Sequence, residues 1–215
     1  MRIDFEDLEV FSKIHHKQFD MATQEAHFEN IEYFNKFEYE WATRSSPYHI
    51  FDIIWTRNAG LYEILYDYIK RRVDRGSTVF DYGAGVGTME VLLLKRFPIT
   101  LTIHEPNLLC ENFIQWRLFK RGAELFPRLK RYNYVVSIDT LQRLPPEQHL
   151  DVLNWLMSLG DRLFLFVPKD TKHPLYSELA VDIEEHFKIH CKKVSYFHGL
   201  WDVVIRESEG EKDDN

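Results

Sequence analysis

The stretch Val79-Phe80-Asp81-Tyr82-Gly83-Ala84-Gly85-Val86-Gly87 decides how this chain folds. Residues 78–81 form a short apolar run ending in an acid, which predicts a buried strand. Three glycines follow at alternate positions. The apolar spacing from Val86 to Phe97 then predicts a helix, which Pro98 stops. Glycines between a strand and a helix allow a tight turn and let backbone amides approach a ligand without interference from a Cβ. The helix N-terminus beyond them favours a carboxylate or phosphate.

The spacing narrows the ligand. A dinucleotide fingerprint reads G-x-G-x-x-G. Here the glycines stand at 83, 85 and 87, and position 88 is Thr. Asp81 precedes the first glycine by two residues, and a negative charge there is a poor neighbour for a pyrophosphate. It suits an ammonium group, because opposite charges attract. An amino-acid moiety carries both an ammonium and a carboxylate.

Beyond this loop, Ile99 to His104 reads as a second strand with Glu105 at its end, 22 residues after Gly83. A carboxylate in that place can accept two hydrogen bonds from a ribose diol. Asn107 is a candidate N-cap for a helix that Lys120-Arg121-Gly122 closes. Tyr134 to Ile138 is a third clear strand and leads to Asp139. Leu150, Leu153 and Leu156 mark a helix, and Arg162 to Val167 a fourth strand. Leu175 to Phe187 is helical, and strands Val194 to Phe197 and Trp201 to Ile205 flank His198-Gly199-Leu200. Alternating strands and helices predict an α/β fold with a mostly parallel sheet, edged by a C-terminal antiparallel hairpin. Open sheets of this kind bind ligands beyond the carboxyl ends of their strands.

Upstream, residues 1–72 read as helices. Phe5, Leu8 and Phe11 recur at helical spacing, as do Phe28, Ile31 and Phe34. Leu61, Ile64, Leu65, Tyr68 and Ile69 make an apolar stripe that Asp74-Arg75-Gly76 ends. The resulting division is a helical lid over residues 1–72, an α/β domain over 73–206 and an acidic tail over 207–215.

The segment Asp81-Tyr82-Gly83-Ala84-Gly85-Val86-Gly87 resembles the first motif of the class I S-adenosylmethionine-dependent methyltransferases, which is acidic-x-G-x-G-x-G. The resemblance implies a Rossmann-like doubly wound sheet with S-adenosylmethionine as cofactor. It further implies that Asp81 helps hold the methionine amino group, that Gly83, Gly85 and Gly87 pass close to the cofactor, and that Glu105 is the ribose-binding acid. Residues 134–145 resemble the family's fourth motif, a strand and loop beside the methyl group. There Asp139 reads either as a contact to cofactor or acceptor or as a loop cap. Arg143 stands where many members acting on small molecules have His. The family's next full strand would fall at 123–129, and that run is short; Glu124 is the acid nearest an adenine-contacting place.

Composition bounds the function. The net charge is −7, and Glu207, Glu209, Glu211, Lys212, Asp213 and Asp214 supply −4 of it. An acidic chain without a broad basic face argues against nucleic acid as the main partner, although Lys70, Arg71, Arg72 and Arg75 cluster locally. The 16 Phe, 11 Tyr and 5 Trp supply a bulky core or line a pocket for a flat or apolar ligand. Trp41, Arg44 and Tyr48, at a break between helices, are candidates to build part of an acceptor pocket. Two cysteines, Cys110 and Cys191, make no disulfide framework. His186 and His190 lie four apart but lack a third ligand, so no metal is expected. No apolar run approaches the roughly 18 residues of a membrane span, and the charged start lacks a signal peptide's apolar stretch, so a cytoplasmic location is expected.

The expected function is methyl transfer to an unidentified small-molecule acceptor. Protein or RNA methylation, and a cofactor-binding partner subunit without turnover, are the alternatives. A homo-oligomer is compatible with the sequence. Catalysis is expected to need alignment and water exclusion more than a dedicated base, and no base is assigned.

Overall fold

The computed structural model describes residues 2–15, 61–96, 98–121, 131–169 and 174–205. In chain order these form α1 (Arg2–His15), α2 (Leu61–Ile69), β1 (Thr78–Tyr82), α3 (Thr88–Arg96), β2 (Thr100–His104), α4 (Leu108–Lys120) and β3 (Tyr132–Ile138). Two single 3₁₀ turns, Leu141–Arg143 and Pro146–Gln148, precede α5 (His149–Leu159). Then follow β4 (Gly160–Phe166), α6 (Pro174–His190), β5 (Lys193–Phe197) and β6 (Leu200–Val204).

The described strands form one sheet in the order β2-β1-β3-β4-β6-β5. β1 pairs with β3 and β3 with β4 in parallel, while β4 with β6 and β5 with β6 are antiparallel. The predicted mostly parallel α/β sheet with a terminal hairpin is therefore the observed one. The chain steps outward from β1 to β2 and then returns to β3 on the other side of β1. That reversal is the topological switch point, where open α/β sheets place their ligand crevice.

The chain divides into two compact units. One contains the sheet with α5 and α6. Its core joins Phe80, Val135, Leu163, Leu165, Trp201 and Val203 of the strands to Leu153 and Leu156 of α5 and Leu179, Ile183 and Phe187 of α6. Each such side chain contributes about 1.5–3 kcal/mol by leaving water. β1 is buried along its centre, at Val79, Phe80 and Asp81, as befits a parallel strand covered on both faces. Trp155 of α5 makes edge-on contacts with Phe80 and Tyr82, which brackets the strand just before its glycines.

The other unit contains α1, α2, α3 and α4. Leu8 and Phe11 of α1 are buried as their spacing predicts, and Phe11 meets Phe113 of α4 edge-on at 5.1 Å. The buried face of α2 is Tyr62, Leu65 and Ile69. Ile64, placed in the stripe by sequence, is 45% exposed; one residue back is about 100° around a helix, enough to leave a three-residue face. α3 starts at Thr88 rather than Val86. Gly87 has φ +71 and its amide closes a turn onto the Ala84 carbonyl, 3.0 Å, so the helix cannot begin before it.

Residues 16–60, 122–130 and 206–215 lie outside the described residues. With them lie the Phe28, Ile31 and Phe34 spacing, the Trp41, Arg44 and Tyr48 group, Glu124 and the acidic tail.

Candidate functional site

In the sheet unit, β1 delivers Asp81 and Gly83 to its carboxyl end, and β3 delivers Asp139 and Thr140 to the neighbouring carboxyl end. Asp81 is 4% exposed and stands in register with Val136 of β3. Gly83 has φ +77. A Cβ added there would overlap the Thr140 side chain. The Thr140 hydroxyl lies 3.2 Å from the Gly83 carbonyl and 3.1 Å from the Ile138 carbonyl, which share its one proton.

Asp139 adopts φ +58, a left-handed conformation uncommon outside glycine. Its carboxylate accepts from Arg143, 2.7 Å, and from the Gln142 amide, while Arg143 Nε donates to the Asp139 carbonyl, 2.8 Å. Arg143 thus closes an ion pair inside its own loop. The loop-cap reading of Asp139 accounts for these contacts.

In the helical unit, Glu105 holds two backbone amides. Its Oε2 accepts from Gly85 N–H at 2.7 Å, and its Oε1 from Asn107 N–H at 2.9 Å. Asn107 in turn caps α4, its Oδ1 accepting from Cys110 N–H at 3.2 Å. The carboxylate that sequence placed at a ribose is therefore tied to the glycine loop itself. Each carboxylate oxygen can accept a second bond. Gly87 packs against Ile114 of α4, whose side chain a Cβ would overlap. The Val86 carbonyl between the last two glycines accepts from the guanidinium of Arg117, a fully buried side chain.

The sequence reading gave these glycines a tight turn and close ligand approach, and the contacts bear on the turn. Gly83 and Gly87 lack side chains because Thr140 and Ile114 occupy the space, and Gly85 has φ +61 with its amide on Glu105. The loop's shape is fixed by these protein contacts. Thr140, Arg117 and Ile114 escaped sequence reasoning because their roles arise from packing between distant segments.

The His186 and His190 rings lie 4.5 Å apart on α6, and among the described residues no group of three or more His, Cys, Asp or Glu could hold a metal ion. Burial pushes the Cys191 thiol up to about 11, which disfavours the nucleophilic thiolate. Cys110 is buried in α4. Among the described residues no helix is long and apolar enough to cross a membrane.

No protein-family model and no curated protein matches this chain. Solved structures do. The magnesium protoporphyrin IX methyltransferase of Synechocystis with bound SAM aligns with TM-score 0.58 and 16% identity, over 88% of this chain and 98% of that one. The same enzyme with bound SAH aligns with TM-score 0.53 and 17% identity, over 68% and 82%. A methyltransferase from Pyrococcus furiosus aligns with TM-score 0.54 and 12% identity, over 68% and 83%. The mostly parallel α/β sheet of this chain shares its fold with these methyltransferase structures.

Proposed function

We propose that this chain binds S-adenosylmethionine and transfers its methyl group to a small-molecule acceptor. The observation that carries the reading is the bond from Gly85 N–H to Glu105, because it joins the glycine loop to an acid of the kind that takes a ribose diol. The likeness in fold to an enzyme solved with bound SAM supports it.

The residues present fit the cofactor. Asp81 supplies a buried carboxylate for an ammonium, and Glu105 supplies an acceptor for a diol. Gly83, Gly85 and Gly87 supply a backbone turn opening a helix N-terminus, suited to a carboxylate. When bound, the cofactor supplies a methyl group already activated on a sulfonium. Burial of Asp81 excludes water and strengthens its hold on a cation. Asp139, fixed by Arg143 and Gln142, shapes the loop after β3. The protein's task is then alignment and dehydration.

Titration calorimetry with S-adenosylmethionine and with its demethylated product tests this. Both should bind, and Asp81→Asn should weaken both. Absence of binding by the wild-type chain would overturn the reading. A second reading, a cofactor-holding subunit without turnover, is favoured by the internal Asp139–Arg143 pair, which occupies the carboxylate nearest the expected acceptor side. Binding without methylated product across an acceptor screen would select it. Methylation of protein or RNA in the same screen would select the macromolecular alternative.

A further inference from the structure

Thr140 connects two loops that the sequence separates by 57 residues. The connection begins one residue earlier. Arg143 and Gln142 hold the Asp139 carboxylate, and Arg143 also holds its carbonyl. Asp139 is thereby kept at φ +58, a left-handed conformation uncommon outside glycine. This turn swings Thr140 back over the end of β3, where its hydroxyl reaches the Ile138 and Gly83 carbonyls. Its methyl and hydroxyl fill the space that a side chain at 83 would need.

The Gly83 carbonyl and the Ala84 N–H belong to one planar trans peptide and point in opposite directions. Pinning the oxygen therefore aims the amide. Gly83 itself has little means of holding one orientation, because glycine populates both signs of φ with similar ease. The aiming must come from outside the loop, and Thr140 is placed to supply it at the switch point between β1 and β3.

We infer that Thr140 is the positioning residue of the glycine loop: its hydroxyl fixes the Gly83–Ala84 peptide and so sets the loop's affinity for its ligand without touching that ligand. The ligand part rests on the cofactor reading above. The clip itself does not.

Three variants separate hydroxyl from shape. Thr140→Val keeps the packing and loses the hydroxyl, Thr140→Ser keeps the hydroxyl and loses the methyl, and Thr140→Ala loses both. S-adenosylhomocysteine binding by calorimetry should weaken about fivefold to tenfold in Thr140→Val, the effect of one hydrogen bond, and stay within about twofold in Thr140→Ser. Amide hydrogen exchange over residues 83–87, measured on the ligand-free full chain, should accelerate in Thr140→Val and not in Thr140→Ser. If Thr140→Val does not fold, Thr140→Ala compared with Thr140→Ser gives the same reading. A role in packing alone would damage Thr140→Ser as much as Thr140→Val, and that result overturns the inference, as does wild-type binding and exchange in Thr140→Val. If the wild-type chain binds no S-adenosylhomocysteine, the cofactor reading falls, and the exchange experiment still decides the clip.

Discussion

Asp7 on α1 and Arg117 on α4 form a buried ion pair, with Arg117 Nε 3.0 Å from Asp7 Oδ2 and side chains 3% and 0% exposed. The same guanidinium donates to the Val86 carbonyl in the glycine loop. One contact thus joins the N-terminal helix to the backbone of the candidate site. Lys120 and Arg121 add further bonds to Asp7.

Replacing Asp7 by Ala removes one half of a buried ion pair. Breaking such a pair costs about 3–5 kcal/mol, so urea unfolding at pH 7 should show a loss of that order. Burial alone pushes the Asp7 carboxyl up, but the Arg117 charge and the bonds from Lys120, Arg117 and Arg121 hold it below its ordinary value. A carboxylate with a depressed folded pKa stabilises fully above its unfolded pKa, about 3.9, and loses that contribution as pH falls through the folded value. The difference between wild type and Asp7→Asn should therefore be full at neutral pH and shrink below about pH 4.

Gly87→Ala should destabilise for two separable reasons. The new Cβ meets the Ile114 side chain, and φ +71 is strained for any L side chain, by about 1–2 kcal/mol. Ile114→Ala in the same chain should relieve the clash and leave the strain. A double-mutant cycle by chemical denaturation should therefore give a favourable coupling between the two substitutions. Strict additivity would contradict the packing role assigned to Gly87.

Much of this was legible in sequence because it is local. The glycine loop, the Asn107 cap and the final hairpin are written within a few residues each, and the mostly parallel sheet follows from alternating strands and helices. Helix starts were less legible: Val86 fits the apolar spacing, yet the left-handed Gly87 holds the start back to Thr88. The contacts that fix the site were not legible at all. Thr140 and Gly83 are 57 residues apart, and Asp7 and Arg117 are 110 apart. No periodicity encodes a pairing over such distances. Asp139 shows the limit from the other side. Its place after β3 was readable, but its capture by Arg143 goes with a left-handed backbone angle that sequence does not display.

Tyr134 should resist ionisation. Tyr134 is buried, and its phenol donates to Asp74 Oδ2 at 2.8 Å. Burial first, and then the Asp74 carboxylate, push it up to about 12. A group with a raised folded pKa stabilises below its unfolded value, about 10 for tyrosine, and that contribution disappears as pH rises through the folded value. Stability should therefore decline between about pH 10 and 12, and Tyr134→Phe should flatten that decline. An equal decline in both proteins would mean that the phenol is not so held.

Glu105→Gln should affect the loop and the ligand in different ways. Both oxygens of Glu105 accept backbone N–H groups, from Gly85 and from Asn107. An amide has one oxygen, so its NH2 must face one of those donors. A hydrogen bond to a charged acceptor contributes about 1.5–3 kcal/mol, so the ligand-free chain should lose stability by roughly 1–2 kcal/mol in urea unfolding. A ribose-holding acid predicts a second effect that backbone support alone does not. Wild type should bind S-adenosylhomocysteine more tightly than its 2′-deoxy analogue, and Glu105→Gln should erase most of that preference as well as lowering affinity. If the variant loses stability but discriminates between the two ligands as wild type does, Glu105 supports the glycine loop and the ribose is held elsewhere.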